Sequence, residues 1–154
     1  MCYTHFGDNM EYKKFKDTYI IRLDIGDEVI ECLTTLCEDE NISLGTINAI
    51  GATDYVKIGL YDVVKKEYIS KELTGQMEIT SLIGNISTKD DEVYLHMHIN
   101  VCNPQMQVLG GHLNKCIISA TCEIIITTIN GSVNRILDQN IGLNLFSFDN
   151  ISKS

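Results

Sequence analysis

VYLHMHINV, residues 93–101, alternates apolar and polar side chains almost without exception. Valine, leucine, methionine and isoleucine take the odd positions, whereas tyrosine, histidine and asparagine take the even ones. This period of two predicts a β-strand that is buried on one face only. His96 and His98 must therefore project from the other face, one above the next.

A third histidine follows a pair of glycines a short distance along the chain, in Gly110-Gly111-His112. We interpret the glycine pair as the hinge of a loop that carries His112 back to His96 and His98. A shell of three neutral imidazoles suits zinc and leaves one coordination position open, and imidazole also binds iron, nickel and copper. These residues predict a divalent metal site, with zinc as the first candidate and iron or nickel as alternatives. In the competing interpretation the histidines only form hydrogen bonds across strands.

One segment has the spacing of a helix. After Asp27, apolar residues recur three and four positions apart with acidic residues between them: Val29, Ile30, Leu33, Leu36 and Cys37. This pattern predicts an amphipathic helix that is capped by Asp27 and ends near Asn41.

Strand patterns dominate the rest of the chain, because short runs rich in β-branched residues are bounded by Gly, Asn and Asp. The predicted strands are residues 19–23, 45–50, 55–63, 67–73, 77–86, 93–101, 116–129 and 132–137. Asn130-Gly131 predicts a two-residue hairpin, because a type I′ turn needs positive φ at both positions. Lys65-Lys66 marks a second hairpin. Residues 103–115 are expected to form a loop, since proline and glycine interrupt them.

These elements predict an α+β fold, a largely antiparallel β-sheet with one main amphipathic helix packed on it. With 154 residues the chain is expected to be a single domain, 1–154. Its core should span about residues 19–137, between a short N-terminal lead-in and a C-terminal strand or tail.

Two predicted strands carry a carboxylate in an apolar setting, at Glu78 and Glu123. Each could be a metal ligand, a partner that sets a histidine tautomer, or a base. The alternative for each is an ion pair with Arg22, Arg135 or a lysine. Glu78 is our preferred candidate for a catalytic role near the histidines, and an iron site of two histidines and Glu78 is a further alternative.

The charge balance argues against nucleic acid as a partner. The chain has 21 acidic and 12 basic residues and a formal net charge of −9, so it repels phosphate backbones in general. The dense basic run Lys13-Lys14-Phe15-Lys16 is interpreted as a solvated lead-in segment.

Six cysteines occur without any Cys-x-x-Cys pair, and residues 1–8 lack the layout of a secretion signal. We therefore expect reduced thiols in the cytoplasm. No apolar run approaches the roughly 20 residues that a membrane span needs, so no membrane association is expected.

Several short motifs occur in a characteristic order. They are Arg22-Leu23-x-x-Gly26-x-Glu28, Ile50-Gly51-Ala52, Tyr61-Asp62, Lys66-Glu67-Tyr68, Gly75-x-x-Glu78-Ile79-x-Ser81-Leu82-x-Gly84-Asn85, His96-x-His98, Gly110-Gly111-His112-Leu113 and Thr121-x-Glu123-Ile124. In this order and spacing the chain resembles the plants-and-prokaryotes-conserved (PPC) domain family over about residues 22–137.

The resemblance implies an α+β fold with a mainly antiparallel sheet, assembly as a homotrimer, and metal-binding positions at His96, His98 and His112. In plants, similar domains follow AT-hook segments and serve for association, and prokaryotic members are often labelled DNA-binding by analogy. This sequence contains no Arg-Gly-Arg-Pro hook, the element that would enter a minor groove.

Three functions follow as hypotheses. The first is a trimeric metal-binding protein; if the open metal position does chemistry, hydrolysis is the default reaction class. The second is a DNA-binding or transcription-associated protein. The third is a pure oligomerisation module in which the histidines are structural.

Overall fold

The computed structural model describes residues 10–148, which form eight strands and one helix. In chain order the elements are β1 (Glu11–Phe15), β2 (Thr18–Asp24), α1 (Val29–Asp39), β3 (Gly45–Asp62), β4 (Glu67–Lys89), β5 (Glu92–Cys102), β6 (Val108–Thr128), β7 (Asn134–Asp138) and β8 (Leu143–Ser147). All the strand pairings except β4 with β7 are antiparallel. The α+β class and the largely antiparallel sheet are thus confirmed.

The four longest strands close on themselves. β3 pairs with β4, β4 with β5, β5 with β6, and β6 again with β3. β2 adds to the C-terminal half of β6, and β1 adds to β2. Inward-facing side chains such as Leu82, Ile99 and Ile124 are at most 1% exposed and form the core. This closure brings the middle of β5 alongside the beginning of β6.

The helix packs its apolar side, including Leu33 and Leu36, against β5 and β6. It begins one residue later than predicted, because Glu28 rather than Asp27 is the N-cap. The Glu28 carboxylate accepts hydrogen bonds from the backbone N–H of Glu31 at 2.8 Å and of Cys116 at 2.9 Å. Asp27 instead accepts from the backbone N–H of Asp24 at 2.8 Å.

In two places, two strands that were predicted separately form one long strand. Residues 45–50 and 55–63 join in β3, and residues 67–73 and 77–86 join in β4. Irregular pairing between Ala49 and Gly51 and between Thr53 and Tyr55 lets β3 bend without ending. The hairpin at Lys65-Lys66 is confirmed, since Asp62 pairs with Glu67 across it.

The predicted loop over residues 103–115 was wrong for its second half. Only residues 103–107 lie outside the strands, and β6 already begins at Val108. Gly110 and Gly111 are strand residues between two close neighbours: a Cβ on Gly110 would lie 2.7 Å from the carbonyl oxygen of Ile99, and one on Gly111 would lie 2.7 Å from that of Gly59. The two glycines therefore allow neighbouring strands to approach closely, and they do not form a hinge.

The hairpin predicted at Asn130-Gly131 was also wrong. Thr127 of β6 already pairs with Thr18 on one side and Thr46 on the other, so β6 has no free edge for β7. The chain instead crosses to the end of β4, where Thr88 pairs in parallel with Asn134, and β7 pairs with β8.

The first three residues of the basic run expected to be a lead-in, Lys13, Lys14 and Phe15, belong to edge strand β1, and Lys16 lies in the turn that follows it. At the other end, the closing strand is β8, and residues 1–9 and 149–154 lie outside the described residues, including the N-terminal segment searched for a secretion signal. Within residues 10–148 no helix is long and apolar enough to cross a membrane. The cysteines in this range are all free thiols.

Candidate metal centre

The three histidines come from two adjacent strands. His96 and His98 are two residues apart on β5 and so share a face. His112 on β6 is the register partner of His98, and side chains directly opposite each other on neighbouring strands are the closest cross-strand pairs. The pairing of β5 with β6 therefore completes the triangle.

The imidazole rings are close to one another. Ring centroids are 5.2 Å apart for His96 and His98, 5.3 Å for His96 and His112, and 5.5 Å for His98 and His112. One nitrogen from each ring lies within 4.8 Å of the other two. Nitrogens bound to one tetrahedral zinc at about 2.0–2.1 Å would lie about 3.4 Å apart. Small side-chain rotations would bring the three nitrogens to that spacing, so the donor set fits such an ion.

The electrostatic setting favours neutral imidazoles, the form that binds metals. Burial, followed by the Arg135 cation and the two neighbouring imidazoles, lowers the pKa of His96 to about 4. Burial and the neighbouring His98 also lower the pKa of His112. These two rings are therefore available as ligands at neutral pH.

The structure does not bring the candidate carboxylates to this cluster. Glu78 is exposed and in register with Cys102, four residues beyond His98 along β5, which corresponds to about 13 Å of strand. Glu123 is exposed as well, because it alternates with the buried Cys122 and Ile124. Neither carboxylate pairs with Arg135, since that guanidinium donates its hydrogen bonds to Ser87, Asn144 and Asn85.

The histidines lie in a pocket of about 610 Å³, and one of its walls was missed by sequence reasoning. Arg135 and Asn144 line it from β7 and β8, together with three tyrosines, Tyr61, Tyr68 and Tyr94. Arg135 was singled out only as an ion-pair partner, and its local sequence contains nothing that places it beside a histidine of β5.

The Arg135 guanidinium is held firmly. Its Nε donates to the Ser87 hydroxyl at 2.8 Å, and its two terminal nitrogens donate to the Asn144 carbonyl at 2.9 Å and the Asn85 amide oxygen at 2.8 Å. It also lies over the rings of Tyr94 and Phe146. Burial lowers the pKa of this guanidinium.

Comparison with known proteins gives a family and several related folds. A family model described as the Plants and Prokaryotes Conserved (PCC) domain matches residues 10–130. No curated protein matches the chain.

Solved structures from bacteria and archaea share this fold over nearly the whole chain. A candidate DNA-binding protein from Bacteroides thetaiotaomicron is 32% identical, with a TM-score of 0.89, covering 92% of this chain and 99% of its own. A metal-containing protein from Archaeoglobus fulgidus is 34% identical, with a TM-score of 0.80 and the same coverage. A plant- and prokaryote-conserved protein from Pyrococcus horikoshii is 30% identical, with a TM-score of 0.78, covering 93% of this chain and 97% of its own.

Proposed function

The chain belongs to the Plants and Prokaryotes Conserved (PCC) domain family, and we propose that it binds a divalent metal ion through His96, His98 and His112. Zinc is the first candidate, and iron or nickel are the alternatives. The observation that carries this proposal is that one nitrogen of each imidazole lies within 4.8 Å of the other two. The 34% identical Archaeoglobus protein, which is described as metal-containing, supports it.

Elemental analysis of the purified protein tests this proposal. We expect about one metal ion per chain in the wild type and its loss in the double variant His96→Ala/His98→Ala. Asn100→Ala is the matched control, because Asn100 is exposed two residues further along the same strand and bonds Ser81 instead. A metal-free wild type, or a double variant that keeps its metal, would refute the proposal.

For enzymatic activity, we propose a class of reaction and no substrate. Three histidines leave one coordination position for water, and zinc-bound water in some enzymes has a pKa near 7. Metal-assisted hydrolysis is therefore the first activity to test. The chain contributes the open pocket and no carboxylate among its described lining residues, so we assign no base.

We also propose that the protein assembles as a homotrimer. An isoleucine patch formed by Ile20, Ile50, Ile83 and Ile125, each 44–58% exposed, covers the outer face of β2, β6, β3 and β4. Exposed apolar patches of this kind commonly mark interfaces. Light scattering should give about three times 17.3 kDa. Ile125→Lys should reduce that mass, and Val64→Lys, at a 90% exposed hairpin residue, should not; a monomeric wild type would exclude the trimer.

DNA binding is the second candidate, because the Bacteroides relative is named for it. The net charge of −9 opposes it. It predicts retention of an AT-rich duplex at low salt that falls steeply as salt rises. Absence of binding at low salt would remove this candidate.

A pure oligomerisation module is the third candidate, supported by the same isoleucine patch. It predicts a trimer whose mass and thermal stability are unchanged by excess chelator. A chelator-induced loss of stability would favour the metal site instead. For each candidate we propose a cytoplasmic location, in keeping with the free thiols of the described residues.

A further inference from the structure

The pocket around the histidines has a charged group that the metal site does not use. Arg135 is only 5% exposed and lines this pocket. Its three hydrogen-bond acceptors are a hydroxyl, an amide oxygen and a backbone carbonyl, all neutral. None of the ion pairs among residues 10–148 includes it. A buried charge without a counter-charge is costly.

The hydrogen-bonding capacity of this guanidinium is incomplete. An arginine side chain has five N–H donors, and one hydrogen bond leaves from each of its three nitrogens. Each terminal nitrogen therefore keeps one N–H for a further acceptor. Tyr94 accepts a hydrogen bond from the Asn144 amide at 3.5 Å, and its own O–H remains able to donate.

The charge of the occupied pocket would be strongly positive. Arg135 lines the same pocket as His96 and donates a hydrogen bond to Asn85, the residue paired with His96 across β4 and β5, so a divalent ion on the three histidines would lie beside a fixed cation. The described lining residues include no carboxylate that could offset these charges. An anionic ligand would supply the missing negative charge, and a planar carboxylate matches the guanidinium fork.

The walls of the pocket indicate what the rest of the ligand is. Leu60, Leu143 and Leu145 line it along with the aromatic rings of Tyr61 and Tyr68. The hydroxyls of both tyrosines are already engaged, Tyr61 with the Ile141 carbonyl at 3.1 Å and Tyr68 with Asn114 at 2.7 Å. These walls offer apolar surface to a hydrocarbon group and suit an inorganic anion poorly.

We propose that this pocket binds a small organic acid. Arg135 holds its carboxylate beside the three histidines, and its apolar part lies against Leu60, Leu143 and Leu145. This inference assigns a ligand to the proposed metal site. It rests on that site, because the bound metal ion supplies part of the positive charge that attracts the carboxylate. Arg135 is a ligand-binding residue in this account, and Tyr94 is a second donor to the same carboxylate.

Calorimetric titration of the metal-loaded protein with 3-methylbutanoate, acetate and inorganic phosphate tests this inference. We expect 3-methylbutanoate to bind more tightly than acetate or phosphate. Arg135→Gln should weaken its binding by about 10- to 100-fold, the loss expected for a charged hydrogen bond. Arg22→Gln is the control, since that exposed arginine pairs with Glu11 and Asp24, and its titration should match the wild type.

Metal content and circular dichroism are recorded on every sample. Unchanged 3-methylbutanoate affinity in a folded, metal-loaded Arg135→Gln variant would overturn the inference, and so would tighter binding of phosphate than of the organic acids. Because Arg135 ties β7 to β4, that variant is paired with Tyr94→Phe, which should bind the acid roughly 2- to 10-fold more weakly. If Arg135→Gln does not fold, equal affinity in Tyr94→Phe and the wild type overturns the inference.

The two proposals fail in different ways. A wild type that holds metal and binds no organic acid overturns the acid site alone. A wild type without metal refutes the metal site, and titration of that metal-free protein still decides whether Arg135 binds a carboxylate.

Discussion

His98 on β5 lies directly opposite His112 on β6, and the centroids of their imidazole rings are 5.5 Å apart. A metal ion bound to both would link two consecutive strands that pair antiparallel across the turn at residues 103–107. Anything that binds the folded chain and not the unfolded one stabilises the fold by mass action.

We therefore expect excess chelator to lower the melting temperature of the wild type. A His98→Ala/His112→Ala variant should melt at the same temperature with and without chelator, because it has lost two of its three ligands. Differential scanning fluorimetry with an added dye measures both. An equal chelator effect on the variant and the wild type would place the metal elsewhere.

Gly111→Ala should disturb the metal site from outside it. The added Cβ would lie 2.7 Å from the backbone oxygen of Gly59, so β6 must shift away from β3 next to His112. We expect both lower stability and reduced metal content, measured by urea denaturation and elemental analysis. Gly75→Ala is the comparison: its φ of +104° makes alanine unfavourable but no atom crowds the position. That variant should lose about 1–2 kcal/mol of stability and keep its metal; equal metal content in both variants would contradict the argument.

Glu28→Gln should destabilise the fold without affecting the metal. The carboxylate of Glu28 accepts from the N–H of Glu31 at the helix start and from the buried N–H of Cys116, with a different oxygen for each. A glutamine offers one acceptor oxygen, so one N–H loses its partner at a cost of about 1–3 kcal/mol. Urea denaturation measures this loss. Glu31→Gln, at an exposed position of the same helix, is the control and should have nearly wild-type stability.

Acid stability should depend on Glu40. The carboxylate of Glu40 accepts three hydrogen bonds: from the hydroxyl of Tyr19 at 2.7 Å, from Lys14 at 3.1 Å and from the hydroxyl of Tyr12 at 2.9 Å. The hydrogen bond from Tyr19, followed by those from Lys14 and Tyr12, holds the pKa of Glu40 below its ordinary value, although partial burial opposes the shift. Its contribution is therefore fully present above the unfolded-state value of 4.5 and is lost as the pH falls through the lower folded-state value.

Glu40→Gln removes this titration, and so the variant should lose less stability than the wild type between pH 7 and pH 3. Denaturation in urea at both pH values measures the difference. Asp39→Asn, the neighbouring carboxylate, controls for the change in net charge. The same acid sensitivity in Glu40→Gln and the wild type would mean that these three donors do not stabilise the ionised carboxylate.

The hairpin turns show a limit of prediction from local sequence. Asn130-Gly131 is a frequent type I′ pair, yet the turn with positive φ at both central residues is Asp90-Asp91, between β4 and β5, with φ of 53° and 65°. Aspartate tolerates this conformation less readily than glycine. Here the long pairing of β4 with β5 imposes it, which a two-residue signal does not reveal.

The sequence by itself determined the strand around His96 and His98, their shared face and the amphipathic helix, because these depend on periods of two and 3.6 residues within one segment. Only the tertiary structure decided that Gly110-Gly111 is a close strand contact, that Glu78 pairs with Cys102 and so lies four strand residues beyond His98, and that Arg135 lies beside His96. The physical reason is that these relationships are set by register between strands far apart in the chain, which local periodicity does not specify.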